Sequence, residues 1–178
     1  MANTNSPFGL RRISGSNLSV NGLQTFYVPA SDATALFQGD PLVVTVGADP
    51  TGQNATVTRA TAGSSSLTAG ALESIVVYAP TTYQYRPASV EMRVQFCTDP
   101  EMEYEIQADG VIAVSDIGKL ADFNYGSSGS TSTGLSGATL DSASIGTGTQ
   151  LRILGLAYGS EFGLYARVIV QRATPQIL

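Results

Sequence analysis

Catalytic chemistry in this chain would have to rest on carboxylates, because the other usual actors are missing. It contains no histidine and a single cysteine, Cys97. That removes Ser-His-Asp and Cys-His nucleophile systems and histidine-ligated zinc. It also removes cysteine-ligated zinc, iron–sulfur centres and any intrachain disulfide. Cys97 reads as a small strand residue, not a nucleophile. Glu101, Glu103 and Glu105 remain. They recur at period two, which sets them on one face of a strand, about 7 Å apart in succession. Such carboxylates can serve a glycosidase or bind Ca²⁺. No Asp-rich calcium loop accompanies them, so a solvated acidic strand face that discourages edge pairing is the favoured reading. Gly146-Thr147-Gly148 opens a dinucleotide fingerprint, but Leu151 stands where its third glycine belongs, and no phosphate-loop pattern occurs. The sequence predicts no enzyme, no cofactor and no metal.

The elements that carry these residues read as strands. Val90, Met92, Val94 and Phe96 alternate with Glu91, Arg93, Gln95 and Cys97. Thr98-Asp99-Pro100 breaks that run. Met102, Tyr104 and Ile106 then alternate with the three glutamates. Asp109-Gly110 is a hairpin signal, and Val111 to Val114 continues as a strand. Together they predict a three-stranded meander, apolar face inward and acidic face outward, on which the rest of the chain packs. Before it, Phe26 to Val28 reads as a short strand, and Ser31-Asp32 as the cap of one helical turn through Phe37. Leu42 to Val46 reads as a buried strand, Asp49-Pro50-Thr51-Gly52 as a type I turn, and Ala55 to Ala60 as the hairpin partner. Gly63 to Gly70 is a small-residue loop, and Leu72 to Tyr78 another strand. After the meander, Ser115-Asp116 is positioned to cap a short helix through Asp122. Of the 24 residues from Gly126 to Thr149, 18 are Ser, Thr or Gly, which predicts a long loop or flexible tip. Leu135, Leu140 and Ile145 hint at one irregular strand inside it. Leu151 to Leu156 and Leu164 to Gln171 are the last strands. About eight to ten short strands with little helix predict an all-β barrel or sandwich.

Composition bounds the rest. A chain of 178 residues with 43% hydrophobic content fits one folded domain. The reading divides it into an extended N-terminal arm, 1–16, and a β domain, 17–178, that includes the loop 126–149. Only 13% of residues are charged and mean hydropathy is +0.10, which suits a surface in lasting contact with other protein. A net charge of -5 and a pI near 4.5 argue against a nucleic-acid partner. No apolar run is long enough to span a membrane, and the start lacks the apolar core of a signal peptide. The glycosylation triplets Asn17-Leu18-Ser19 and Asn54-Ala55-Thr56 read as chance. Two clusters are candidate contacts. Pro7, Phe8, Leu10, Arg11 and Arg12 lie in the arm, outside any periodic element, and can order on a partner. Tyr83, Tyr85 and Arg86 are residue types enriched at interfaces, though a loop folded onto the core edge would look the same.

Several of these stretches resemble the decoration, or head cement, proteins of tailed bacteriophages. Pro7-Phe8-Gly9-Leu10-Arg11 is similar to their short N-terminal arm. Val28-Pro29-Ala30-Ser31-Asp32-Ala33-Thr34-Ala35-Leu36-Phe37, followed by Gly39-Asp40-Pro41, is the closest match. Tyr85-Arg86-Pro87-Ala88-Ser89 and Leu151-Arg152-Ile153-Leu154-Gly155 are further ones. The resemblance implies a non-enzymatic β protein on the outer capsid surface of a virion. It implies a homotrimer at local three-fold points, clamping neighbouring copies of the major capsid protein. The rival reading is a virion-borne β-sandwich adhesin or carbohydrate-binding module. The chain has no tryptophan to stack on sugar rings, but its eight tyrosines can substitute. A carboxylate glycosidase is the third.

Overall fold

Short apolar-polar alternations separated by turn formers give a chain of short strands. In a computed structural model, residues 3–13, 22–63, 68–76 and 83–176 are described. In chain order they form β1 (Arg11–Arg12), β2 (Leu23–Val28), β3 (Pro41–Ala48), β4 (Ala55–Arg59), β5 (Gly70–Ala71) and β6 (Ser74–Val76). Then come β7 (Met92–Cys97), β8 (Glu103–Gln107), β9 (Val111–Ile112), β10 (Leu120–Ala121) and β11 (Phe123–Tyr125). β12 (Ala138–Leu140), β13 (Leu151–Leu156), β14 (Gly163–Leu164) and β15 (Arg167–Arg172) complete the set. Among the described residues the helical pieces are single 3-10 turns at Val114–Asp116 and Ser142–Ser144. The fold is all-β. Asn17-Leu18-Ser19, Tyr78 and the middle of the 63–70 loop lie outside the described residues.

A six-stranded sheet runs β5-β3-β4-β2-β7-β6, and a five-stranded sheet runs β1-β8-β15-β13-β10. Within the six-stranded sheet only the β2–β4 contact, Tyr27 opposite Thr56, is parallel. One core is built from Phe26, Val28, Leu42, Val57, Val94 and Phe96, with the Phe26 and Phe96 rings stacked at 4.3 Å. The other gathers Tyr104, Ile106, Leu151, Ile153, Val168 and Val170, with Ala71 and Cys97 from the six-stranded sheet. Cys97 is buried there, although the alternation set it on the outward face with Glu91, Arg93 and Gln95: Phe96 packs into one core and Cys97 into the other. Two cores explain why several strands are apolar on more than one face.

The meander is corrected. β7 lies in the six-stranded sheet, β8 in the five-stranded sheet, and β9 pairs with β14. Three residues, 98–100, do not close a tight hairpin here. The carbonyls of Thr98 and Asp99 accept from the guanidinium of Arg172, which leads the chain from one sheet to the other. That guanidinium is buried, and it also donates to the carbonyls of Thr68 and Ala69. Arg172 is therefore a staple between the last strand of one sheet and the connections of the other.

Other expectations fare unevenly. The turn at 49–52 forms, with the Gly52 amide donating to the Asp49 carbonyl at 2.9 Å, and β3 and β4 pair across it. Val46, however, stands wholly exposed, because the register shifts between Thr45 and Ala48. The Gln176 side chain completes the edge of β3. It accepts from the Val44 amide at 2.8 Å and donates to the Val44 carbonyl at 2.9 Å. No helix follows Asp32. Its carboxylate accepts from the Thr34 amide and the Thr58 hydroxyl, both at 2.8 Å, and Leu36 bridges to Arg86. The helix expected through Asp122 is a single 3-10 turn, after which β10 joins β13.

Candidate interaction surface

Residues 3–13 of the arm are part of the fold, not an appendage. Leu10 is buried in the core under the five-stranded sheet, and its amide donates to the Gly39 carbonyl at 2.9 Å. Gly9 permits this. It has φ +74, and a Cβ placed on it would fall 2.4 Å from the Gly39 oxygen. β1 then pairs antiparallel to β8, Arg11 opposite Glu105 and Arg12 opposite Tyr104. Further back, Gln107 accepts from the Ser6 amide at 2.8 Å and donates to the Thr4 carbonyl at 2.7 Å. The expectation of a detached contact segment is corrected. Leu10 is occupied inside, while Pro7 and Phe8 are half-buried and Arg11 and Arg12 stay exposed.

Those arginines find carboxylates within the chain. Glu105 accepts from Arg11 at 2.5 Å and from Arg167 at 2.9 Å, and Arg12 lies 3.1 Å from Glu73. Arg11 also sits over the Phe8 ring at 4.8 Å. The acidic strand face is thus partly a strut. Glu105 is clamped between two guanidiniums, Glu103 is half-buried and only Glu101 is exposed. Among the described residues no cluster of His, Cys, Asp or Glu is placed to hold a metal.

The Tyr-Arg cluster divides. Arg86 is wholly buried, which corrects its reading as a surface anchor. Its Nε donates to the Val90 carbonyl at 2.7 Å, Nη1 to Thr34 at 2.6 Å and Nη2 to Pro29 at 2.8 Å. The nearest carboxylate, Asp32, is 4.0 Å away. Burial lowers its pKa from the ordinary arginine value. Tyr85 stacks on Phe37 at 4.9 Å, and Tyr83 alone turns outward.

Among the described residues, a further group of exposed apolar side chains lies elsewhere. The β8–β15 ladder continues past Gln107 and Arg167. The Ala108 amide donates to the Ala166 carbonyl and the Tyr165 amide to the Gly110 carbonyl, and β9 then pairs with β14. The result is a two-stranded ribbon that extends the five-stranded sheet. Ile112 turns into the core, but the cross-strand pair Val111 and Leu164 is 63% and 50% exposed. Phe162, just before β14, and Val114, which opens the 3-10 turn after β9, are exposed as well. Asn3 of the arm holds the ribbon, donating to the carbonyls of Glu161 at 2.8 Å and Leu164 at 3.1 Å. Beside Val114, Asp116 pairs with Lys119 at 2.9 Å and caps the Ala113 amide. Sequence reading passed over this tip. Val111 to Val114 and Leu164 to Gln171 read as strands, but nothing in the spacing pairs Val111 with Leu164 or marks Phe162 as exposed. Compared with known proteins, the chain matches no family model, no curated protein and no solved structure.

Proposed function

We propose that the protein is a structural component of a phage virion. It binds the outer capsid surface and stabilises the shell by bridging major capsid subunits, three copies acting together as a trimer. The observation that carries this reading is the ribbon tip. Scattered exposed apolar residues are ordinary on any protein, but Val111 and Leu164 form a cross-strand pair, with exposed Phe162 and Val114 within three residues of them in the chain. Such a patch suits burial against another protein, with each Val, Leu or Phe side chain contributing on the order of 1.5–3 kcal/mol when fully covered. The ribbon is held in register by β8 and β15 and pinned by Asn3, so little ordering entropy opposes docking. Three tips on one trimer would add avidity. The resemblance to decoration proteins supports the capsid as partner and supplies the number three.

Leu164→Glu and Val111→Glu place charge on exposed positions, so their melting should follow the parent. Sedimentation with capsids that lack the protein should show the parent bound and both variants at least tenfold weaker. Equal binding by folded variants would remove the tip from the proposal.

A further inference from the structure

We infer that residues 129–136 form a strap over the Phe37–Tyr85 aromatic stack, and that Asp40 is the proton-linked latch that fastens it. The strap lies flat because its residues are small. A Cβ on Gly129 would fall 2.5 Å from the Phe37 ring, and one on Gly134 would fall 2.3 Å from the Gln84 carbonyl oxygen. Backbone bonds tie it to the 36–40 turn. The Gln38 amide donates to the Gly134 carbonyl and the Ser136 amide to the Gln38 carbonyl, each at 2.8 Å. The side-chain fastening is a single residue. Asp40, wholly buried, accepts from the Ser136 hydroxyl at 2.5 Å and from the Phe37 amide at 2.9 Å. The same Ser136 oxygen accepts from the Ala138 amide, so the latch also reaches β12.

A closed strap encloses a carboxyl group. Arg59 of β4 acts on Asp40 without pairing with it, and is stacked on the ring of Tyr125 of β11 at 4.3 Å. Tyr125 donates to the Ala60 carbonyl; burial, and after it the nearby Asp40, hold its hydroxyl protonated. Burial pushes Asp40 up to about 6, against the opposing pull of Ser136, the Phe37 amide and Arg59. An open strap would hydrate the carboxyl and return it to the ordinary range. The closed form therefore holds the proton more tightly. Closure is fully supported below the ordinary carboxylate range and loses that support as pH rises through about 6. A difference of about two units corresponds to a roughly fiftyfold rise in the opening equilibrium between pH 4 and 7. Opening uncovers Phe37 and Tyr85.

Two measurements test this on the full chain. Carbon-detected NMR titration should place the Asp40 carboxyl midpoint well above those of the exposed aspartates. Hydrogen exchange at the Gln38 and Ser136 amides, corrected for intrinsic rate, should report opening that grows about fiftyfold from pH 4 to 7. Asp40→Asn should flatten that profile, and Ser136→Ala should move the Asp40 midpoint higher still. An ordinary Asp40 midpoint overturns the proposal. So does a pH profile that persists unchanged in Asp40→Asn. If that variant does not fold, the titration of the parent protein decides.

Discussion

Buried guanidiniums hold the connections of this molecule together. Arg86 collects the carbonyls of Pro29, Thr34 and Val90, and Arg172 those of Thr68, Ala69, Thr98 and Asp99. Each replaces the water those carbonyls would otherwise need. Arg86→Met should therefore cost about 3–5 kcal/mol, since it leaves buried acceptors without a donor. Urea denaturation should show the midpoint falling with the slope unchanged; a loss under about 1 kcal/mol would mean that water reaches the cage. Nothing local in the sequence reveals this role. Arg86 stands beside Tyr83 and Tyr85, a composition enriched at interfaces, while its partners at 29 and 34 are more than fifty residues away. Cys97 was legible as a strand residue but not as a buried one, because the alternation set it on the face of Glu91, Arg93 and Gln95. The glutamates were legible as a strand face, but not as the partners of Arg11 and Arg167, which only the pairing of β1 and β15 with β8 brings to Glu105.

Among the elements, those with a clean alternation were read correctly as strands, while β3, read as buried, is exposed from Thr45 on. β7, β8 and β15 each alternate over five or six residues, and the β3–β4 hairpin announces itself by its turn. The sheet each strand joins was not legible, because Thr98 and Asp99 serve Arg172 instead of closing a hairpin. β1 has only two residues, too few for any period, and Arg11 meets Glu105 across a separation of 94. The strap has the Ser/Thr/Gly composition of a flexible linker, and the same small side chains let a backbone lie flat on Phe37 and Gln84. Since the arm is built into the sheet, Leu10→Ala should cost about 2–5 kcal/mol. Removing residues 3–12 should lower the melting midpoint markedly. Calorimetry that finds the truncated chain melting like the parent would show the arm to be dispensable for folding.

At the scale of the whole molecule, two cores absorb most of the apolar side chains, and the ribbon of β9 and β14 is where cross-strand partners Val111 and Leu164 remain uncovered. The all-β class was legible from the density of short alternations and turns. The position of the tip was not, since it depends on β9 and β14 meeting beyond the end of the β8–β15 ladder. An exposed apolar tip on a rigid ribbon, on a chain with sparse charge, fits a protein that works by being held against another surface. The most direct test is electron cryomicroscopy of capsids with and without the protein. The account predicts added density on the outer shell, in groups of three, with the Val111–Leu164 tips buried against major capsid subunits. Particles that gain no density, or bound copies whose tips face solvent, would contradict it.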